Sequence, residues 1–213
     1  MRKKTKILVS LPLIVLALLI GIWIAMSFFF NVDTVGYEVL EKQGRIEIRH
    51  YPSYLIAETL VDADFKEAGN KAFRRLFNYI SGSNKKQESI SMTAPVSQVE
   101  TSENIAMTAP VGMQQAEGKY AVSFLMPSKY TIETIPEPLD ESVIVKEIPA
   151  QKVAAIRYSG SWSQARYEAK KASLESFMAT KGLVSVGEPV FARYDPPFQV
   201  WFLRRNEVLI PVE

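Results

Sequence analysis

The chain opens with a basic flank followed by an uncharged, largely hydrophobic run from Ile7 to Phe30. As a helix this run would be about 36 Å long, whereas the hydrocarbon core of a bilayer is roughly 30 Å thick. Its last residues are bulky where a signal peptidase requires small side chains, so residues 1–30 are predicted to be an uncleaved transmembrane anchor. The basic flank is expected to stay in the cytoplasm. This predicts a single-pass membrane protein with an extracytoplasmic soluble domain.

A short linker, residues 31–36, leads into the soluble domain, residues 37–213. Residues 45–51 alternate with period two, which predicts a strand with Ile46, Ile48 and His50 on one face, and residues 54–61 are predicted to be its partner strand. A helix follows. Its predicted N-terminal capping box is Asp64 with Glu67, it ends near Gly82, and its buried stripe is Ala68, Ala72, Leu76 and Ile80.

The second half of the domain repeats this pattern. A helix is predicted from Ser161, with Gln164 in the capping-box position, to Lys181, before Gly182. The predicted strands are 120–126, 143–148, 152–159, 190–194, 200–203 and 207–212.

A shift of 97 residues superimposes the two halves without a gap from Pro52 on Pro149 to Ile80 on Phe177. The match indicates a duplicated strand–strand–helix unit. Each unit can bury one face of its helix on strands, so the sequence predicts an α+β fold in which two helices lie on a curved, mostly antiparallel sheet.

A seven-residue phrase also occurs twice, fifteen residues apart, as Ile90–Val96 and Ile105–Val111. In each copy a strand-like run meets a proline, which predicts two neighbouring strand junctions. The thioether sulfurs of Met92 and Met107 are candidate metal ligands. Core packing is the favoured interpretation, because the two methionines repeat symmetrically and a single metal centre would break that symmetry.

Charge and cysteine content exclude several classes of protein. Four of the 25 basic residues lie in the anchor flank, which leaves 21 basic against 23 acidic residues in the rest of the chain. A domain with such balanced charge lacks the excess of basic residues that is typical of nucleic-acid-binding proteins. Because the chain has no cysteine, disulfides, thiolate nucleophiles and zinc–cysteine sites are excluded.

Six motifs in the domain resemble those of the SOUL heme-binding protein family, in the same order and from about Tyr37 to the C-terminus. They are Arg49-His50-Tyr51, Tyr79-Ile-Ser-Gly82-Ser-Asn84, Ile90-x-Met92-Thr-Ala-Pro95-Val96, Phe124-Leu-Met-Pro127, Tyr194-Asp-Pro-Pro197 and Arg204-Arg-Asn-Glu207-Val208. The resemblance implies a distorted, mostly antiparallel β-barrel of about eight strands, built by duplication and flanked by two helices. It also implies heme as the cofactor and a relationship to bacterial effector-binding domains that hold small molecules in a cleft.

The first helix is the candidate tetrapyrrole site. Phe73 and Phe77 widen its apolar stripe beyond what packing on a sheet requires, and Arg74 beside them could meet a propionate. The family's heme contact is attributed to an apolar patch at matching positions. Packing of both phenylalanines in the core is the alternative. Asn70 stands where animal relatives have a basic residue, so a propionate-pairing role is not transferred to that position.

His50 is the single histidine of the chain and therefore the candidate iron ligand. Axial ligation has been proposed for the histidine of the same motif in some family members, whereas others bind heme without it. The alternative is a half-buried, hydrogen-bonded histidine with a structural role. The Arg204–Glu207 motif is interpreted as a surface ladder or a turn before the last strand.

The sequence thus predicts a membrane-anchored, non-enzymatic module that binds heme or a related tetrapyrrole in an apolar cleft beside the first helix. The alternative is binding of another apolar small molecule, a lipid or an effector, in the same cleft. A hydrolase is disfavoured, because the chain has no G-x-S-x-G elbow and one histidine.

Overall fold

The computed structural model describes residues 13–15, 21, 34–86, 89–90, 92–100, 119–195 and 198–213. The chain divides into two compact units, Met1–Val32 and Asp33–Glu213. In the first unit the described residues, 13–15 and 21, are helical. Most of the predicted anchor therefore lies outside the described residues. None of the helices in the described ranges has the length and hydrophobicity that a membrane span requires.

The described part of the second unit contains nine strands, two α-helices and one 3-10 helix. The strands are β1 (Glu38–Gln43), β2 (Ile46–Tyr51), β3 (Tyr54–Asp62), β4 (Val96–Glu100), β5 (Lys119–Leu125), β6 (Val143–Ile148), β7 (Gln151–Tyr158), β8 (Val190–Arg193) and β9 (Asn206–Pro211). The helices are α1 (Phe65–Ile80) and α2 (Gln164–Lys181), and the 3-10 helix is Trp201–Leu203. The strand predicted at 200–203 is therefore wrong, while β1 and β4 were not predicted.

Capping residues mark three of the four ends of the α-helices. Asp64 caps α1 as predicted, because its Oδ1 accepts a hydrogen bond from the Glu67 N–H at 2.7 Å. The α2 helix begins later than predicted, since Ser163 rather than Ser161 is its N-cap residue. Gly182 ends α2 as predicted, in the left-handed conformation with φ of 67°. The predicted stripe of α1 is confirmed: its four residues are at most 3% exposed.

The nine strands form one sheet in the order β1-β2-β7-β9-β8-β4-β5-β3-β6, with every pair antiparallel. The predicted pairing of 45–51 with 54–61 is wrong. Strand β2 instead pairs with β1 and β7, while β3 pairs with β5 and β6. After β2, Pro52 and Ser53 carry the chain into the other half of the sheet, so β2 and β3 are not neighbours.

The duplication predicted from the sequence is confirmed by the topology. A shift of 97 residues carries β2 onto β6, β3 onto β7, and α1 onto the first part of α2. The strand order without β1 is symmetric about its centre: β2 and β6 are at the two ends, β7 and β3 come next, then β9 and β5, and β8 and β4 are in the middle. The two halves meet where β4 pairs with β8, at Ser97 opposite Ala192.

The predicted closure into a barrel is wrong for the described residues. Strand β1 adds to the outer side of β2 and pairs with no other strand in the described ranges, and β6 ends the sheet at the other side. The sheet is therefore open, and both helices pack on it: α1 on β3, β5 and β6, and α2 on β7 and β9.

Alternation along the strands separates the two faces of the sheet. On β3, Leu55, Ala57 and Val61 belong to the core beneath the helices, whereas Ile56 and Glu58 line a cavity on the opposite face. On β5 the same division places Phe124 in the core and Ser123 at the cavity.

Candidate ligand-binding site

A cavity of about 410 Å³ lies on the face of the sheet opposite to the helices. Strands from both halves line it, together with Thr34, Val35 and Tyr37 before β1. Aliphatic side chains are the largest group in its lining and include Ile56, Leu125, Val153 and Leu209. This volume and lining are typical of small-molecule sites, which usually have about 300–1,000 Å³ and a few polar groups.

Four tyrosines line the cavity, namely Tyr37, Tyr51, Tyr54 and Tyr194. The rings of Tyr37 and Tyr51 have centroids 5.0 Å apart, and those of Tyr51 and Tyr54 are 6.3 Å apart. These distances are in the range of favourable aromatic pairs. Tyr37, Tyr51 and Tyr54 therefore form a continuous aromatic wall.

A buried ion network contacts the cavity tyrosines through hydrogen bonds. Arg49 and Glu207 are 2% and 0% exposed, and they form two hydrogen bonds, from Nη1 to Oε2 at 2.6 Å and from Nη2 to Oε1 at 3.1 Å. Arg205 Nη2 also donates to Glu207 Oε1 at 2.8 Å, and the Tyr194 hydroxyl donates to Oε2 at 2.9 Å. Both carboxylate oxygens are thus satisfied, as a buried charge requires.

The network shifts the pKa of its members. Burial raises the pKa of Glu207, but hydrogen bonds and charge from Arg49 and Arg205 outweigh it and hold the pKa below its usual value. Burial raises the pKa of Tyr51 to about 12, despite the opposing effect of Arg49. Near neutral pH the carboxylate is therefore ionised and the Tyr51 phenol is protonated.

A second ion pair lies in the cavity wall. Lys146 on β6 contacts Glu58 on β3, with 2.7 Å between Nζ and Oε1. Their side chains are 36% and 15% exposed. The two groups face each other because Glu58 and Lys146 are close in the β3–β6 register, where Ile56 is the direct partner of Lys146.

The predicted aromatic edge of α1 lies on the helix side of the sheet. Phe73 and Phe77 stack at 5.7 Å between centroids with 13° between their planes. Phe73 is partly buried and meets Phe124 of β5 edge-on at 5.3 Å, whereas Phe77 is 45% exposed. Arg74 is exposed. The core alternative thus fits Phe73, while Phe77 presents much of its side chain to solvent.

His50 lies elsewhere, at an exposed position near the end of β2, between Glu38 of β1 and Lys152 of β7. Its strand pairs with β1 and β7, whereas α1 packs on β3, β5 and β6. The structure thus brings Phe73, Arg74 and Phe77 together on one helix and places His50 in the other half of the sheet. None of these four residues belongs to the lining of the 410 Å³ cavity.

Sequence reasoning missed the buried network. The Arg204–Glu207 motif is not a surface ladder, because Asn206 and Glu207 are fully buried and begin β9. Asn206 accepts from Trp162 Nε1 at 2.9 Å and donates to the Gly160 carbonyl at 3.1 Å. The period-two pattern that put His50 on one face of β2 also put Arg49 on the other, and that pattern was the available signal.

The first copy of the duplicated phrase lies beside the cavity. Pro95 is in the cavity lining, Thr93 is buried, and Met92 is 41% exposed. Packing of Met92 inside the core is therefore wrong. The second copy, residues 105–111, lies outside the described residues.

The match to known proteins covers this duplicated domain. Human heme-binding protein 2 is 28% identical over 191 residues, which cover 83% of this chain and 88% of that protein. Pig (Sus scrofa) heme-binding protein 1 is 27% identical over 189 residues, 85% of this chain and 94% of that protein.

Solved structures share the fold. The C-terminal domain of EcmrR has a TM-score of 0.56 at 14% identity, covering 83% of this chain and 98% of that one. An uncharacterised conserved protein from Listeria innocua has a TM-score of 0.57 at 14% identity, covering 79% of this chain and 92% of that one. The model of the SOUL heme-binding protein family matches residues 32–211, nearly the whole of the duplicated sheet with its two helices, so the chain belongs to that family.

Proposed function

We propose that this protein is a non-enzymatic binder of heme or a related tetrapyrrole, anchored in a membrane by residues 1–30, with its domain on the extracytoplasmic side. Family membership and the relatives named heme-binding protein 1 and 2 support the ligand. The uncharged run behind a basic flank supports the anchor and its orientation.

The porphyrin is proposed to lie on the aromatic edge of α1. The observation that carries this placement is the near-parallel stack of Phe73 and Phe77, in which Phe73 also contacts Phe124 of the core and Phe77 is exposed. Such a stack offers a flat, rigid aromatic surface to a porphyrin face. Arg74 is exposed beside it and could pair with a propionate.

Axial ligation by His50 stays a prediction. A heme held on α1 and a heme ligated by His50 would lie on different parts of the sheet, because the two elements pack on different strands. In a His50→Ala variant, a changed Soret position would assign the ligand to His50. An unchanged spectrum would remove His50 from the site and leave the α1 edge intact.

Hemin titration of the full chain in lipid nanodiscs tests the proposal. Saturable binding with a Soret change is expected at micromolar hemin. Phe77→Ala is expected to weaken hemin binding about tenfold, because it removes most of the exposed aromatic contact. Arg74→Gln should cause a smaller loss that decreases with added salt.

Phe202→Ala is the matched control, since Phe202 is also an exposed phenylalanine, at 56%, outside α1. It should leave hemin affinity unchanged. Equal affinities in wild type and a folded Phe77→Ala variant would exclude the α1 edge. Absence of a saturable Soret change in the wild type would exclude the function itself.

A further inference from the structure

We propose that the 410 Å³ cavity is a second binding site, separate from the α1 edge, for an uncharged and largely apolar small molecule. The cavity and α1 lie on opposite faces of the sheet. None of the residues named for the α1 edge lines the cavity. Ligand binding at the two sites can therefore be tested independently.

Three of the four tyrosine hydroxyls in the cavity form hydrogen bonds to the buried ion network. Tyr51 accepts from Arg49 Nη1 at 3.1 Å, and Tyr37 accepts from Arg205 Nη2 at 3.4 Å. The Tyr194 hydroxyl donates to Glu207 at 2.9 Å. Tyr37 and Tyr51 accept in these bonds, so each can still donate its own O–H, but otherwise a ligand meets mainly ring faces and aliphatic side chains. This favours an apolar body with few hydrogen-bonding groups.

The charges in the wall are also compensated. Glu58 and Lys146 neutralise each other across 2.7 Å, and Arg205 is paired with Glu207. Glu188, the other charged residue of the described lining, is at an exposed position. Because Glu188 is at the exposed margin, where water screens its charge, a charged ligand would lose hydration on entry without gaining an uncommitted counter-charge inside the cavity. The wall therefore selects against ions of both signs.

Three naphthalene probes that differ in charge test the selectivity: 2-naphthol, naphthalene-2-sulfonate and (2-naphthylmethyl)trimethylammonium. They are titrated calorimetrically into the full chain in nanodiscs, with empty nanodiscs as the blank. We expect one-to-one binding of 2-naphthol and at least about tenfold weaker binding of both ions. Equal or tighter binding of either ion would overturn the proposal of an uncharged ligand.

Two tryptophan substitutions locate the binding. Ala121 lines the cavity, whereas Leu60, its register partner on β3, is 46% exposed and outside the lining. Ala121→Trp should abolish 2-naphthol binding by filling the cavity, and Leu60→Trp should leave it unchanged. Retained 2-naphthol binding in a folded Ala121→Trp variant would overturn the assignment to this cavity.

Glu58→Gln is a milder variant that tests the role of the ion pair without filling space. It leaves Lys146 without its carboxylate partner, so naphthalene-2-sulfonate should bind about tenfold tighter than to the wild type, while 2-naphthol changes little. An unchanged ratio of the two affinities would show that the Glu58–Lys146 pair does not set the charge selectivity.

Hemin titrations of the same variants separate the two sites. Ala121→Trp should keep wild-type hemin affinity, and Phe77→Ala should keep wild-type 2-naphthol affinity. If Ala121→Trp removed hemin binding while Phe77→Ala preserved it, the cavity would be the heme site and the two-site proposal would be wrong. If hemin failed to bind while 2-naphthol bound in the cavity, the proposed heme function would be excluded and the proposed cavity site would be retained.

Discussion

Replacing Glu207 with glutamine is expected to lower the free energy of unfolding by about 3–5 kcal/mol, the usual cost of removing one partner from a buried ion pair. Glutamine keeps the shape of the side chain but not its charge. Arg49 and Arg205 would both lose the buried carboxylate that they share. The remaining contact of Arg49 with Glu47, 2.8 Å between Nη2 and Oε2, would compensate for only part of that loss. Urea unfolding followed by circular dichroism measures the loss.

Glu137→Gln is the control for this substitution. Glu137 forms an ion pair with Lys85, but their side chains are 70% and 63% exposed. An exposed pair contributes about 1 kcal/mol at most, because water and salt screen it. Similar stability losses in the two variants would contradict the structural role assigned to the buried network.

The same network predicts a pH dependence of stability. The folded pKa of Glu207 is below its usual value, since Arg49 and Arg205 outweigh the effect of burial. A carboxyl group with a depressed folded pKa contributes stability above its unfolded pKa, about 4.3. That contribution decreases as the pH falls from there through the folded pKa. The free energy of unfolding should therefore fall less steeply with acid in Glu207→Gln than in the wild type.

The helices could be predicted because their apolar residues recur with the helical period and their ends carry capping signals. Most strands could be predicted because their residues alternate with period two. The buried stripe of α1 and the Gly182 end of α2 illustrate this. The 97-residue shift also predicted the duplication that orders the sheet. Pairing was not predictable in the same way. A two-residue connection such as Pro52-Ser53 favours a hairpin, yet β2 and β3 join different halves of the sheet through contacts distant in sequence.

The candidate site was harder to predict, because sequence reasoning treats charged residues as exposed unless their partners are known. Arg49 and Glu207 are separated by 158 positions, so their mutual compensation is visible only once β7 brings β2 and β9 together. His50 drew attention as the single histidine, but its face of β2 opens to solvent at that position. The cavity depends on side chains from both halves and has no local sequence signature.

Truncating Phe124 to alanine is expected to lower the free energy of unfolding by about 3–5 kcal/mol, because it leaves a cavity in the core. Phe124 is 0% exposed on β5, between β3 and β4, and meets the ring of Phe73 edge-on. Phe202→Ala, at an exposed position, should cost less than about 1 kcal/mol. Urea unfolding of the two variants measures the contrast.

Removing the Phe124 ring should also weaken hemin binding at the proposed surface on α1. Without its ring beneath Phe73, the stack of Phe73 and Phe77 loses the contact that fixes its orientation. Hemin affinity measured under conditions where the variant stays folded should therefore fall toward that of Phe77→Ala, whereas 2-naphthol binding in the cavity should be less affected. Unchanged hemin affinity in folded Phe124→Ala would mean that a fixed aromatic edge on α1 is not what binds the porphyrin.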